Sequence, residues 1–353
     1  MTSSIHAITT KPPTISLPEV FCEDFLNSAH APIKDDLKRV EILLRTSLQS
    51  KVEGVPEMMA YLIESGGKRI RPIVTCLMAR ACGYHGNEHI PIACIAELLH
   101  TATLYHDDVI DEAKLRRGRQ TANSLFGNKV MVLSGDLMLA HCFSMLMEGG
   151  YFHISQALSQ TVREMVEGEI LELKYEGNFE TSLPEYMEMI QLKTASLFSW
   201  STKAAAMTAG FSPIRCKSLA SFGHKIGMAF QLVDDLMDFI GDQKTMGKTI
   251  LQDVEEGKIT MPLLLVLKHF PHIKNELIRE FNQASWKDGN GIRKKELLFK
   301  IQNLILERDV ILDSKRIVDE ALSQARDILD LLPASVYRTG LISLLAYLSG
   351  RDR

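Results

Sequence analysis

The sequence predicts an all-α protein, and three observations carry that expectation. The chain has 353 residues, 46% apolar and 24% charged, an ordinary globular composition with enough length to bury a large core. Glycine and proline are sparse, at 22 and 12, and runs of β-branched residues are rare. Apolar residues recur at helical spacing in one segment after another.

Residues 1–18 are rich in Ser and Thr, without arginine or an apolar core. They predict a disordered lead-in, neither a secretory signal nor a mitochondrial transit peptide. Residues 19–353 predict a single domain. Glu19 to Ala31 reads as a short helix, and Pro32 to Ser50 as another, with Leu37, Val40, Leu43 and Leu44 at helical period. Pro56 to Ser65 follows, with proline near its first turn and Gly66-Gly67 ending it. Lys68 and Arg71 then open an apolar helix over Pro72 to Cys82. Cations at a helix N-terminus oppose the macrodipole unless an anion joins them, so the stretch reads either as an anion site or as a solvated basic loop.

Asn87 to Glu112 predicts a long helix, apolar from Ile90 to Leu104 apart from Glu97. A helix apolar on most sides is a central one. Further helices are expected over Lys129 to Met147, Phe152 to Lys174, Pro184 to Lys203, Ser218 to Ile240, Met261 to His269, Lys294 to Leu306, Asp309 to Leu332 and Ala334 to Gly350. No strand is expected.

The net charge of -4 excludes nucleic acid as a partner recognised by bulk charge. None of the six cysteines forms a Cys-x-x-Cys pair, which argues against a thiolate zinc site and for a reduced, cytoplasmic chain. No apolar run reads as approaching the roughly eighteen residues that a membrane span needs. A Gly-x-x-x-x-Gly-Lys-[Ser/Thr] loop is missing, so nucleotide hydrolysis has no support.

The chemistry lies in a motif that occurs twice. The central helix ends in Asp107, Asp108 and Asp111, and a second apolar helix ends in Asp234, Asp235 and Asp238. Like charges one helical turn apart repel, and a hard divalent cation between them reverses the sign of that interaction. Each motif is followed by basic residues: Arg116 and Arg117 after the first, Lys244, Lys248 and Lys258 after the second. Either motif alone reads as readily as a solvated face. If the two helices face each other, six carboxylates line one cavity and need cations to stay ionised. Oxygen-only ligands select Mg²⁺ or Mn²⁺ over zinc. Mg²⁺ takes one or two carboxylates and completes its shell from water and phosphate, and the basic residues supply charge-assisted bonds to the same phosphate. The expected ligand is a small phosphorylated molecule bound through magnesium.

These residues resemble the trans-prenyltransferases, the polyprenyl diphosphate synthases. The resemblance rests on Gly66-Gly67-Lys68-Arg69-Ile70-Arg71-Pro72, His106-Asp107-Asp108 with Asp111, Arg116-Arg117-Gly118, Gly168-Glu169, Lys193-Thr194, Phe230-Gln231 with Asp234, Asp235 and Asp238, and Gly247-Lys248. It runs in order from about Pro56 to Leu267. It implies the all-α isoprenoid synthase fold, a homodimer, and head-to-tail condensation of isopentenyl diphosphate with an allylic diphosphate such as farnesyl diphosphate. It implies about three Mg²⁺ ions, with Mn²⁺ able to substitute, held by Asp107, Asp111 and Asp234, with Asp108, Asp235 and Asp238 completing the clusters. Arg116, Lys193, Lys248 and Lys258 would clamp the allylic diphosphate. Lys68, Arg71, His100 and Arg117 would hold isopentenyl diphosphate, although His100 on its own residues reads as a core histidine. Thr194 and Gln231 would stabilise the allylic cation with their oxygens; by the residues alone they are locally bonded helix side chains. Glu167, Glu169 and Glu172 read as a solvated or structural set. His106 has no role, and Tyr105 stands where an aliphatic residue is expected.

In short-chain members of that family a bulky aromatic residue sits four or five positions before the first aspartate. Here those positions hold Thr103 and Ala102, both small. A helix of about 25 residues offers about 37 Å of wall at about 1.5 Å per residue. The tunnel is expected past Leu99, His100, Ala96 and Ile95, with Met131, Leu133 and Leu137 as candidate floor. The product expected is a long-chain, octaprenyl- to decaprenyl-type diphosphate for quinone side chains, with a geranylgeranyl diphosphate synthase, or a regulatory subunit of a heteromeric synthase, as the alternatives. Contact with a membrane surface is expected only for release of that product.

Overall fold

The computed structural model describes residues 19–47, 50–64, 66–116, 119–240, 251–283, 286 and 292–350. The lead-in, Arg117, Gly118, Lys244, Gly247 and Lys248 lie outside them. The described chain is helical, with α1 Glu19–His30, α2 Lys34–Thr46, α3 Val55–Glu64, α4 Ile70–Ala81, α5 His89–Ile110, α6 Ala122–Phe126, α7 Asn128–Glu148 and α8 Phe152–Tyr175 in its first half. Then come α9 Leu183–Ile190, α10 Ser196–Thr208, α11 Pro213–Ile240, α12 Gln252–Glu256, α13 Met261–His269, α14 Pro271–Phe281, α15 Ile292–Ile305, α16 Arg308–Ile328 and α17 Val336–Gly350.

The central position expected of the long apolar helix holds. α5 packs against α2, α4, α7 and α10, and every residue from Ile92 to Leu99 is buried. α11 lies along α10 and carries α16 on another side, while α17 closes against α1 and α4. The apolar faces meet in a continuous core built on Ile73, Leu77, Ile95, Leu98, Phe198, Phe222 and Leu232. One ionic cluster ties three helices within it. Arg80 of α4 donates to both carboxylate oxygens of Asp36 on α2 at 2.7 Å, and His89 Nε2 at the start of α5 lies 3.0 Å from the same carboxylate.

Three local features depart from the sequence expectation. A two-residue antiparallel pair, Leu115–Arg116 with Arg119–Gln120, replaces the strand-free loop. Pro271–Phe281 forms a helix in a stretch with no predicted element. The helix expected over Pro184 to Lys203 is broken at Gln191–Ala195 by a π-helical turn, a geometry that is rare and concentrated at functional sites.

α7 corrects a further expectation. It is long and apolar enough to cross a membrane by length and composition, yet only 33% of its most apolar window is buried in the subunit. Met131, Met138, Cys142 and Leu146 pack inward, so α7 belongs to the bundle. Leu133 and Leu137 point outward, Leu133 at 67% exposure, and of the three candidate floor residues only Met131 faces the interior.

Candidate active site

Two lysines stand beside the aspartate triplet at the end of α5. Lys258, just beyond α12, places Nζ 3.0 Å from Asp111 Oδ2 and 3.1 Å from Glu256. Lys193, in the π turn, places Nζ 2.8 Å from Glu169 Oε2 and also bonds Glu172 on α8. Neighbouring carboxylates raise both ammonium groups well above the ordinary lysine range despite their burial: Glu172, Asp107 and Glu169 for Lys193, and Asp111, Glu172, Glu256 and Asp253 for Lys258. Of the two expectations for Glu169 and Glu172, a solvated or a structural set, their pairing with Lys193 fits the structural one. Glu167 is exposed and pairs with Arg163.

Within each triplet the members differ. Burial pushes the Asp107 carboxyl up to about 7, opposed by Lys193 and Arg116 and reinforced by Glu169 and Glu172. Asp108 is buried and accepts a 2.8 Å bond from Arg116 Nε, while its backbone carbonyl accepts from Asn123. Asp111 caps α5 and is exposed. On α11, Asp234 is half-buried. Asp235 is buried and takes one donor on each oxygen, Tyr186 Oη at 2.5 Å and Gln231 Nε2 at 2.7 Å. Its carboxyl is pushed up to about 8, chiefly by burial and by Asp253, with Tyr186 and Gln231 opposing. Asp238 receives the Asp253 backbone N–H at 3.4 Å. Asp108 and Asp235 thus hold the chain around them through Arg116, Tyr186 and Gln231.

The π turn is set by close approach. Gly168 lets α8 press on it, since a Cβ there would stand 2.3 Å from Lys193 N. Gly227 does the same from α11, with a Cβ 2.6 Å from Ala195 Cα. Thr194, at the centre of the turn, donates its hydroxyl to Gln231 Oε1 at 2.7 Å, so these two residues do meet.

A second cationic group lies at the start of α4. Arg69 adopts a left-handed backbone as its N-cap. It binds Glu41 at 2.6 Å, Glu97 at 3.0 Å and the Ile63 carbonyl at 2.8 Å. Sequence reasoning gave Arg69 no role, because its partners are distant in the chain. Pinning Arg69 directs its neighbours. Lys68 sits 5.3 Å above the Tyr347 ring of α17. Buried Arg71 stacks 4.7 Å over Phe198 and 6.0 Å from Phe230, and burial lowers its guanidinium to about 10 against the pull of Glu97 and Asp234.

On α5, His100, Thr103 and Leu104 are half-buried and Ala102 is buried. The Thr103 hydroxyl is bonded to the His100 carbonyl at 2.8 Å. Tyr105, out of place by the sequence pattern, is buried with its hydroxyl donating to the Met58 carbonyl of α3. His106 faces α7, with Nε2 3.1 Å from the Val132 carbonyl and 3.4 Å from Asp136.

Among the described residues no three His, Cys, Asp or Glu side chains are arranged to hold a metal ion by themselves. The donor set fits magnesium in another way. Asp107, Asp111 and Asp234 offer only oxygen, and Mg²⁺ needs one or two such ligands when a phosphate supplies the rest. Oxygen-only carboxylates beside lysine ammonium groups are a donor set that can hold a polyphosphate through a divalent cation.

Comparison with known proteins finds relatives over most of the chain. The family model described as polyprenyl synthetase matches residues 52–294. The octaprenyl diphosphate synthase of Escherichia coli (strain K12) is 36% identical over 318 residues, covering 90% of this chain and 96% of that protein. The all-trans-nonaprenyl-diphosphate synthase (geranyl-diphosphate specific) of Rhodobacter capsulatus is 36% identical over 324 residues, covering 91% and 96%. Among solved structures, the polyprenyl synthase of Caulobacter crescentus CB15, complexed with calcium and isoprenyl diphosphate, superposes with a TM-score of 0.84 at 30% identity, covering 93% of this chain and 98% of that one.

Proposed function

The chain belongs to the polyprenyl synthetase family, and on that basis we propose that its two aspartate triplets and the cations between them carry out chain elongation. The protein is a prenyltransferase. It condenses isopentenyl diphosphate head-to-tail with an allylic diphosphate and makes a long-chain all-trans polyprenyl diphosphate. The observation that carries the assignment of the site is the seating of Lys193 and Lys258 among the carboxylates of the first motif, with Asp107 acting on Lys193 and Asp111 3.0 Å from Lys258.

Asp107, Asp111 and Asp234 hold Mg²⁺, about three ions in number, and Lys193, Lys258, Arg116 and Lys248 clamp the allylic diphosphate. Magnesium supplies, when bound, the positive charge that stabilises the departing diphosphate. Binding draws Lys193 from Glu169 and Glu172 toward the phosphate oxygens, where its charge opposes the negative charge that develops. Lys68, Arg71, His100 and Arg117 hold isopentenyl diphosphate on the α4 side. Thr194 and Gln231 present oxygen atoms to the allylic cation. The double bond of isopentenyl diphosphate attacks that cation, and a proton is then lost to the departing diphosphate.

The tunnel runs down α5 past Thr103 and His100, with no aromatic side chain at Thr103 or Ala102, the positions four and five before the first aspartate. This supports an octaprenyl to decaprenyl product for quinone side chains. The exposed apolar side chains of α7 and α8, Leu133, Leu137, Val166, Ile170 and Leu173, support a homodimer joined through these helices. Unpaired thiols at Cys76, Cys82, Cys94, Cys142 and Cys216 support a reducing, cytoplasmic location, with the lipid product leaving at a membrane surface.

The test is purified protein with Mg²⁺, farnesyl diphosphate and labelled isopentenyl diphosphate, with products sized by chromatography. Labelled octaprenyl to decaprenyl product is expected. No labelled product would refute the reading, and geranylgeranyl product alone would refute its chain length.

A further inference from the structure

We propose that Tyr186 is a positioning residue for the elongation step, acting through Asp235 to fix the oxygens of Gln231 and Thr194 toward the reacting carbon. The inference rests on the function proposed above and deepens it.

Three hydrogen bonds link four side chains in series. Tyr186 Oη donates to Asp235 Oδ2 at 2.5 Å, Gln231 Nε2 donates to Asp235 Oδ1 at 2.7 Å, and Thr194 Oγ1 donates to Gln231 Oε1 at 2.7 Å. The order of donors matters. A glutamine amide left to itself can present either nitrogen or oxygen. Asp235 Oδ1 accepts from the Gln231 nitrogen, so the Gln231 carbonyl turns away. That carbonyl takes the Thr194 hydroxyl proton, which leaves lone pairs on both oxygens. A developing cation is stabilised by such lone pairs and repelled by an N–H in the same place.

Tyr186 makes this orientation hold. It is 1% exposed, and its ring position is fixed by the start of α9. Ser182 caps that helix in a reciprocal box with Glu185, with Ser182 N to Glu185 Oε2 at 2.8 Å and Glu185 N to Ser182 Oγ at 3.4 Å. Tyr186 follows Glu185 directly. One side chain thereby joins the helix that leads into the π turn with the helix that carries the second aspartate triplet. Without its hydroxyl, Asp235 is a buried carboxyl with one partner instead of two, free to rotate and to take Gln231 with it.

The experiment compares wild-type protein with Tyr186→Phe, Gln231→Leu and the double variant in the labelled isopentenyl diphosphate assay, with melting temperatures recorded alongside. Tyr186→Phe is expected to lower kcat by about 10-fold to 100-fold with KM for both diphosphates within about 2-fold of wild type. On the Gln231→Leu background the same change should cost less than about 2-fold in kcat. Asp235→Asn, which keeps the shape but replaces one acceptor by a donor, should lower kcat in the same sense and serves should Tyr186→Phe not fold. An unchanged kcat in Tyr186→Phe, or an undiminished loss on the Gln231→Leu background, overturns the proposal. An inactive wild type overturns the parent reading instead.

Discussion

A side-chain carbon on Gly168 would stand 2.3 Å from the backbone nitrogen of Lys193. α8 and the π turn therefore touch backbone to backbone, and the position of Lys193 is set by a residue with no side chain. Gly168→Ala is expected to push the turn away from α8. Overpacking of this kind costs about 1–3 kcal/mol, and elongation should slow by at least about 10-fold, since small misplacement of a positioned group is costly. Melting temperature and kcat in the elongation assay check the two parts separately.

Asp107→Ala and Asp234→Ala each remove a proposed magnesium ligand. Each is expected to lower the elongation rate by orders of magnitude while the protein still melts cooperatively. A rate within about 10-fold of wild type in either variant would contradict the metal site, given the several kcal/mol that bound metal contributes to such steps.

Thr103→Phe is expected to shorten the polyprenyl product while keeping turnover. The position is half-buried on α5, so a ring can project into the proposed tunnel. Ala102→Phe should act in the same sense but with a loss of about 1–3 kcal/mol, because Ala102 is only 2% exposed and its surroundings are filled. Chromatographic sizing decides; unchanged product length in both variants would place the tunnel elsewhere.

The Asp36–Arg80–His89 cluster gives a pH dependence away from the active site. Hydrogen bonds and charge from His89 and Arg80 hold the Asp36 carboxyl well below the usual carboxylate range, against the opposing effect of burial. A carboxyl that is more acidic folded than unfolded stabilises the protein above its unfolded value of about 3.9, and that contribution is lost as pH falls toward the folded value. Asp36→Asn should reduce stability at neutral pH by about 3 kcal/mol and flatten the loss of stability below about pH 4. Denaturant titrations at neutral and acid pH measure both.

Much of this was legible in the sequence where the signal is local and periodic. The buried α5 follows from its apolar run, and the two sites of charge follow from repeated Asp-Asp-x-x-Asp with trailing cations. The Gln191–Ala195 turn was not legible, because nothing in Gln-Leu-Lys-Thr-Ala disfavours an ordinary helix; the pressure of Gly168 and Gly227 comes from other helices. The place of Glu169 and Glu172 beside Lys193 needed the same tertiary information. Leu133 and Leu137 were misread for a different reason. α7 is apolar around its whole circumference, so its periodicity does not say which side faces in. The left-handed backbone of Arg69 is a poor guess for any non-glycine residue and is held by Glu41 and Glu97, far along the chain.

The π turn makes the number of residues matter as much as their identity. Each residue advances a helix by about 100°, and the wider turn absorbs one residue beyond what an α-helix would use. Tyr186 before it and Trp200 after it both face the interior only because that extra residue is there. Deleting any one position between Gln191 and Ala195 would restore a continuous helix and rotate one end out of phase with its partners. The chain can exchange side chains in this stretch and still fold, but a change of length there would separate Lys193 and Thr194 from either Tyr186 or the packing of α10.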